Sequence, residues 1–260
     1  MSVARSKKGK QKVSLDGGFR TAPEREEGGR IRACFDRNPA RVEAKLDAFP
    51  KYVRRQPITR FLALYEIFKM VIPVKGSIIE CGVHEGFGTM SWERFSAILE
   101  PVNFTRRIYG FDTFSGFPKI SAKDKTHVSD AVEAGGLYAN SYQELNELAA
   151  ISASTRFIGH IPKVQLIKGD AVKTIPKFVQ DTPHLLVSLL YLDFDLYAPT
   201  KAALKHFLPL MPAGAILAFD ELDNPLWPGE TQACIELMRS KRLRIERLPF
   251  DPYIGFARIE

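Results

Sequence analysis

Hydrophobic and polar positions along the chain follow two periods, one typical of helices and one typical of buried strands. Apolar residues recur at helical spacing from Phe61 to Ile72. The run from His184 to Leu192 is almost continuously apolar, which is typical of a strand buried on both faces in a parallel sheet. Short apolar runs and helical patterns alternate over most of the chain. This alternation predicts an α/β fold with a doubly wound (Rossmann-like), seven-stranded and mostly parallel sheet.

The predicted elements cover the chain from residue 41 to its end. Strands are predicted from Ile78, Arg107, Val164, His184, Ala215, Leu243 and Ile254, the last one antiparallel. Helices are predicted over Arg41–Phe49, from Pro57 to near Pro73, to about Glu100, from a capping box at Ser141 to about Arg156, over Pro199–Leu210 and from Trp227 to about Ser240. Residues 119–140 are too long for an ordinary connection and indicate a lid or substrate loop.

Three segments of different character are predicted. Residues 1–38 are a basic flexible tail followed by an irregular arm, residues 39–75 a helical N-terminal cap, and residues 76–260 the main domain. The formal charge is +7, and the tail alone contributes five basic residues and no acid. The rest is near neutral, which argues against a large basic nucleic-acid face. A nucleic-acid contact through the tail stays open.

Cysteine usage and hydropathy bound the compartment. The three cysteines, Cys34, Cys81 and Cys234, lie far apart without C-x-x-C spacing. We therefore expect neither a disulfide framework nor a structural zinc site. A reducing cytoplasm is the expected compartment. No segment has the length of a membrane span, so no membrane partner is expected.

A glycine turn follows the first predicted strand of the main domain. Gly82, Gly86 and Gly88 give the spacing G-x-x-x-G-x-G, preceded by Glu80. A dinucleotide-binding turn would instead read G-x-G-x-x-G beside a pyrophosphate. Carboxylates at such a turn suit a ligand that has a sulfonium and an amino group but no phosphate. The pattern resembles motif I of class I methyltransferases, which bind S-adenosylmethionine.

Acidic residues end the next two predicted strands. Asp112 stands where the second strand stops, at the position that accepts hydrogen bonds from ribose hydroxyls. Asp170 follows the third strand beside the expected adenine position. It is predicted either to bind the exocyclic amine or to cap the helix that starts at Ala171. Both readings stay open.

A cluster of acids is expected where the fourth and fifth strands end. Asp193 and the pair Asp220 and Glu221 should converge at the rim of the sheet that carries the glycine turn. Hard oxygen ligands suit Mg²⁺, so the three are predicted as a divalent metal site. A solvated acidic rim or a helix cap is the alternative. Asp195 alternates with Asp193 and is expected to point away, and Asp223 is a weaker ligand candidate.

Segments of the chain resemble the macrocin O-methyltransferase family, which methylates sugars in antibiotic biosynthesis. The resemblance covers roughly residues 60–235 and is most specific over Gly110–Pro118 and Leu192–Tyr197. It implies S-adenosylmethionine, a divalent metal, a deoxysugar hydroxyl acceptor and a homo-oligomer. The acceptor would be nucleotide-activated, such as a dTDP-deoxyhexose, or attached to a natural product. Several relatives have Asp-Asp where this chain has Asp220 and Glu221.

The resemblance also implies roles for individual residues. Asp193 would be a metal ligand and the base, with Asp220 and Glu221 as the other ligands. The expected cofactor-binding residues are Glu80, Gly82, Gly86, Gly88, Thr89, Asp112, Thr113, Phe114, Asp170, Ala171 and Asp193. A histidine base, His84 or His127, is the alternative.

Two other functions compete with sugar methylation. A nucleic-acid base N-methyltransferase commonly has an Asn/Asp-Pro-Pro-aromatic motif after the fourth strand, where this chain reads Asp-Phe-Asp-Leu-Tyr. C5 methylation needs a nucleophilic cysteine, and none lies at the acidic rim. A non-catalytic module that keeps the cofactor-binding fold is the other alternative.

Overall fold

One seven-stranded sheet organises the main domain of this computed structural model, which describes residues 20–125 and 132–260. The predicted tail, part of the predicted lid loop and His127 lie outside the described residues. The strands are β1 Ser77–Cys81, β2 Ile108–Asp112, β3 Val164–Lys168, β4 Val187–Leu192, β5 Ile216–Phe219, β6 Glu246–Arg247 and β7 Gly255–Arg258.

Eight α-helices are present in the described ranges. They are α1 Ala22–Arg37, α2 Val42–Asp47, α3 Arg55–Val71, α4 Phe87–Leu99, α5 Tyr142–Thr155, α6 Ala171–Asp181, α7 Tyr197–Phe207 and α8 Pro228–Ser240. None of the helices described is long and apolar enough to cross a membrane.

The strand order is β3-β2-β1-β4-β5-β7-β6. The first five strands are parallel, and β7 is antiparallel to both β5 and β6. Strand β1 is central, and β2 and β3 follow it on one side of the sheet. Strand β4 then lies on the other side of β1. This reversal opens a crevice beyond the carboxyl ends of β1 and β4. The structure confirms the predicted α/β class and the antiparallel last strand.

Helices cover both faces of the sheet, so the core has two layers. On one face α6, α7 and α8 pack on strand residues such as Ile79 and Leu190. On the other face α3 and α4 pack on Ile78 and Leu189, with Trp92 buried between them. All six residues of β4 are buried, which explains why the run from Val187 is apolar except for Ser188.

The arm before the cap is helical, so the prediction of an irregular segment is wrong. Helix α1 has no buried residue, and its sequence lacks the apolar stripe that predicts a helix. Its start is stabilised locally, because Glu24 accepts a hydrogen bond from the Thr21 backbone N–H at 2.8 Å. At its end, the Lys45 ammonium donates to the Phe35 carbonyl oxygen at 2.8 Å.

The helix predicted from Ser141 exists, but the predicted capping box does not. Ser141 has helical dihedral angles, and its hydroxyl makes no cap hydrogen bond. It donates instead to the His84 carbonyl oxygen. Helix α5 is therefore fastened to the glycine turn after β1, which the sequence pattern did not indicate.

Candidate functional site

A cavity of about 360 Å³, the main cavity of the candidate site, lies at the carboxyl ends of the parallel strands. It brings together residues that are far apart in the sequence but were expected to share one site. Those predicted residues are Gly82, Asp112, Thr113, Asp170, Ala171, Asp193, Asp220 and Glu221. A side cavity of about 290 Å³ lies between α3 and the glycine turn, and Glu80 and Gly88 line it. Arg60, Gly82, His84 and Asp193 border both cavities.

The glycines of the turn are required by protein packing as well as by ligand access. Gly82 has φ +100, and a Cβ there would overlap the Asp193 carbonyl oxygen. A Cβ at Gly88 would overlap the Glu80 carboxyl group. The turn therefore presses directly on the end of β4. Substituting Gly82 would disturb the fold before it disturbed a ligand.

Asp112 is held at the end of β2 by backbone donors. One carboxylate oxygen accepts hydrogen bonds from the Val83 and His84 N–H groups, both at 2.8 Å. The other accepts from the Phe114 N–H at 2.7 Å. The side chain thus joins the glycine turn to the loop after β2 and also lines the main cavity. Removing this side chain would therefore loosen both turns.

Glu80 is buried, and its hydrogen-bond partner is the Thr89 hydroxyl. Burial raises the pKa of this carboxyl group to about 8, against which the Thr89 hydrogen bond and Arg60 act only in part. The group is therefore mostly neutral at pH 7.

The remaining predicted cofactor residues divide between lining and support. Asp170 caps α6 by accepting from the Val172 N–H at 3.0 Å, and it also lines the main cavity. Both predicted roles of Asp170 are therefore compatible. Phe114 is buried under the turn against Tyr142, and its side chain supports the site from behind. A Cβ at Gly86 would overlap Leu145, so this glycine serves packing.

The structure brings Asp193 and Asp220 together at the carboxyl ends of β4 and β5, and a cation from another element lies between them. Arg60 of α3 contacts Asp220 at 2.5 Å and Asp193 at 3.2 Å through the same guanidinium nitrogen. Tyr191 donates its hydroxyl hydrogen to the Asp220 carboxylate. Asp220 is therefore held from two sides, while Asp193 is 29% exposed in its side chain and reaches the cavity.

Asp195 also lines the main cavity, so the prediction that it points away is wrong. Its φ of +61 breaks the extended backbone, and the alternation of a strand no longer applies there. Glu221 accepts a hydrogen bond from the Asn224 amide. Below them Glu230 is fully buried, with one oxygen accepting from the Glu221 N–H at 3.1 Å. Its other oxygen has no hydrogen-bond partner among the described residues.

Burial and mutual repulsion dominate the ionisation of this cluster. The pKa of Asp193 is raised well above its ordinary value by burial and by Asp220, partly offset by Arg60. Burial, then Glu221 and Asp220, raise the pKa of Asp195. Burial and Asp220 raise the pKa of Glu221 to about 7. Burial opposes the charge of Arg60, but Asp220, Tyr191 and Asp193 outweigh it and keep the guanidinium pKa well above its usual range.

The predicted magnesium site is not found in the parts of the chain that the structure describes. No group of three or more His, Cys, Asp or Glu side chains in residues 20–125 and 132–260 is arranged to hold a metal ion. The physical reason is that Arg60 takes the position between Asp193 and Asp220, while Glu221 is turned to Asn224. The carboxylates as arranged do not fit a divalent ion.

The other candidates for a base or ligand lie at the margin. His84 borders both cavities in the glycine turn and is exposed. Asp223 accepts no side-chain hydrogen bond among the described contacts, and its N–H donates to Thr231 at 3.0 Å. It is not part of the cavity lining.

Arg60 and an aromatic pair are the site residues that the sequence reasoning missed. Arg60 lies four residues before Leu64, on the face of α3 that is otherwise buried against the sheet. A charged residue in an apolar stripe was the signal for it. Phe117 and Trp227 meet edge to face at 5.8 Å and line the cavity wall, but they come from two loops that no local pattern relates.

A family model described as a methyltransferase domain matches residues 79–222, which is more than half of the chain. Fold and site together define a class I methyltransferase, and the chain belongs to this family. The crystal structure of the calicheamicin methyltransferase CalS11 is 31% identical, and the match covers 98% of this chain and 99% of that one with a TM-score of 0.89.

Two further solved structures are similar. An apo structure of CalS11, described as a TDP-rhamnose 3'-O-methyltransferase of calicheamicin biosynthesis, is 31% identical over 92% of this chain and 96% of that one, with a TM-score of 0.79. The O-methyltransferase NovP, 18% identical over 78% and 80% of the two chains with a TM-score of 0.56, shares the fold. No curated protein matches this chain. The narrower resemblance to macrocin O-methyltransferases stays a prediction.

Proposed function

We propose that this protein is an S-adenosylmethionine-dependent O-methyltransferase that modifies a deoxysugar hydroxyl in antibiotic or other secondary-metabolite biosynthesis. The observation that carries the proposal is the 31% identity to a TDP-rhamnose 3'-O-methyltransferase over nearly the whole length of both chains. A nucleotide-activated deoxyhexose is the acceptor that this similarity favours. The main cavity supports it, because one space joins the expected ribose acid to the acidic cluster.

The residues that we propose to hold the cofactor lie at the ends of β2 and β3 and in the glycine turn. Asp112 would receive the ribose hydroxyls, and Asp170 at the start of α6 would face the adenine amine. The backbone of Gly82 lies between them and Asp193. The side cavity beyond Gly82 would then hold the amino-acid end, bordered by Glu80, Glu85 and Gly88. When bound, S-adenosylmethionine supplies a methyl group that its sulfonium activates for in-line transfer.

The protein's main chemical task is to align and deprotonate a hydroxyl group. We propose that Asp193 accepts the hydroxyl proton, because it is the partly exposed carboxylate next to the turn. Asp195, which lines the same cavity, is the competing base. Phe117 and Trp227 would shield the transfer from water.

A turnover screen over nucleotide sugars, free sugars and RNA tests the proposal. Production of a methylated nucleotide sugar is the expected result, and turnover on RNA alone would overturn it. Asp193→Asn should lower kcat by about 10²–10⁴-fold, as expected when a general base is removed. Asp223→Asn makes the same change at the same rim outside the cavity and should leave kcat within about twofold. If Asp195→Asn showed this loss of kcat and Asp193→Asn stayed active, the base would be Asp195.

The pH dependence of turnover gives a second readout. The base must be ionised to accept a proton, and the pKa of Asp193 is raised well above its ordinary value. Activity should therefore fall as the pH drops through this raised pKa, at a higher pH than an ordinary aspartate would give. Because neighbouring carboxyl groups titrate together, the acid limb reports the cluster rather than one residue.

We also propose that copies of the chain associate through the N-terminal helices. Helix α1 buries no residue, and the α2 segment exposes Val42, Leu46 and Phe49 at helical spacing. Light scattering on the wild type and on Leu46→Glu tests this. A monomeric wild type would overturn it.

A further inference from the structure

Arg60 supplies a positive charge at the point where a metal ion was expected. One guanidinium nitrogen contacts Asp220 at 2.5 Å and Asp193 at 3.2 Å. The rest of the cluster contributes acids and a tyrosine hydroxyl, from Asp195, Glu221, Glu230 and Tyr191. Among residues 20–125 and 132–260, no other lysine or arginine lines either cavity. Arg60 is thus the one strong cation among the described lining residues.

The position of Arg60 is built into the fold. Helix α3 packs on the sheet through Leu64, Ile67 and Phe68, all buried. Arg60 stands one turn before Leu64 on this face, so its side chain is directed over the carboxyl ends of β4 and β5. The Tyr191 hydroxyl orients Asp220 toward the same point. The guanidinium is therefore held by a rigid helix rather than by a mobile loop.

A second departure from a metal-ligand arrangement lies at Glu221. This longer acid accepts from the Asn224 side chain, three residues ahead in the same loop. Its carboxylate is engaged within the loop rather than shared with Asp193 and Asp220. Both departures remove ligands from the point where a divalent ion would need several oxygens at once.

We propose that Arg60 acts as the resident cation of the acidic cluster, positioning Asp193 and Asp220 and disfavouring a divalent metal there. A guanidinium next to a bound dication would be repelled at short range, so the two cannot share the carboxylates. Arg60 would thus be a positioning residue, contributed by the helical cap, and this role rests on the proposed methyl transfer. Cation binding at the cluster can be measured without the cofactor or the acceptor.

Mn²⁺ titration of the purified full-length protein tests the proposal, with free Mn²⁺ followed by electron paramagnetic resonance. Arg60→Met should bind one Mn²⁺ at least about tenfold more tightly than the wild type, because the competing charge is gone. Arg60→Lys keeps a positive charge and should stay within about threefold of the wild type. Arg55→Met, on the same helix but 75% exposed in its side chain, is the matched control and should not change Mn²⁺ affinity.

A double variant locates the site that binds Mn²⁺. If adding Asp220→Asn to Arg60→Met abolishes the gain in Mn²⁺ affinity, the new site lies at the acidic cluster, as the proposal requires. An Arg60→Met variant that binds Mn²⁺ no more tightly than the wild type overturns the proposal. A gain in Arg60→Lys equal to that of Arg60→Met overturns the charge argument. Once an acceptor is known, Arg60→Met should lower kcat while the KM for the cofactor stays within about threefold.

Discussion

Each end of the sheet holds an arginine that is paired with acidic side chains, but the two arginines have different surroundings. At the amino ends of the strands, Arg106 is 2% exposed and faces a single acid, Glu100, at 2.8 Å. Its other donors reach the carbonyl oxygens of Val71, Ile72, Val74 and Gly76 and the Ser188 hydroxyl. Arg106 and Glu100 thus form a one-to-one ion pair, and the arginine is saturated with hydrogen bonds.

At the carboxyl ends, one arginine faces an excess of acids. Arg60 contacts Asp193 and Asp220, and Asp195, Glu221 and Glu230 lie in the same cluster. One Glu230 oxygen has no hydrogen-bond partner in the described structure. The contrast teaches that a buried ion pair with complete hydrogen bonding holds the fold together. A buried cluster with surplus charge and perturbed pKa values is a site for chemistry.

Breaking the ion pair at the amino ends should have the largest effect on stability. Arg106→Met removes the hydrogen-bonded counter-ion of the buried Glu100 and deprives four carbonyl oxygens of a donor, so we expect a loss of about 3–5 kcal/mol in the free energy of unfolding. Arg60→Met should cost less than half of that, because the Asp193 side chain is partly exposed and its neighbours can take up protons. Urea denaturation followed by circular dichroism measures both. Equal losses would contradict the contrast between the two ends.

The pH dependence of stability shows whether the buried Glu80 near the crevice is neutral. Its pKa is about 8 in the folded protein against an ordinary value of 4.5, so the folded state keeps a proton that the unfolded state releases between these values. Wild-type stability should therefore fall as the pH rises from 4.5 to 8, and Glu80→Gln should remove this loss. We expect the variant to gain a few kcal/mol relative to the wild type across that window, at about 1.4 kcal/mol per pKa unit.

The control for this prediction is an exposed acid of the same type. Glu147 lies on the solvent side of α5. Glu147→Gln should follow the wild-type pH dependence of the unfolding free energy. A Glu80→Gln curve parallel to the wild-type curve would mean that Glu80 is ionised in the folded protein.

The elements and the glycine turn could be predicted because their signals are local. The apolar run to Leu192 and the acids that end β2 and β4 stand in short stretches, and parallel strands bring their carboxyl ends to one edge. Helix α1 was missed because its stabilising contact, between Thr21 and Glu24, is not accompanied by an apolar stripe. Here a local capping signal was present and outweighed by the polar composition.

The charge arrangement of the site could be predicted only in part. The convergence of Asp193 and Asp220 followed from topology, but the cation between them comes from α3, more than 130 residues earlier in the chain. The predicted side-chain direction of Asp195 was also wrong, because a strand pattern does not show that a residue has a positive φ. Partners that are distant in sequence and single residues with unusual dihedral angles are settled by tertiary packing.

The smallest expected effect on stability comes from a glutamate at the carboxyl ends of the strands, and it can be compared directly with a glutamate at the amino ends. Glu100 and Glu230 are both buried glutamates, 9% and 0% exposed. Glu100→Gln removes the charge that Arg106 faces and should cost about 3 kcal/mol or more in the free energy of unfolding. Burial and Asp220 raise the pKa of Glu230 well above its ordinary value, which favours the neutral form of this group. Its first oxygen can still accept from the Glu221 N–H after amide substitution. Glu230→Gln should therefore change stability by less than about 1 kcal/mol at pH 7. A loss as large as that of Glu100→Gln would show that Glu230 carries a charge that a partner neutralises. The carboxyl ends would then hold a paired buried charge, as the amino ends do.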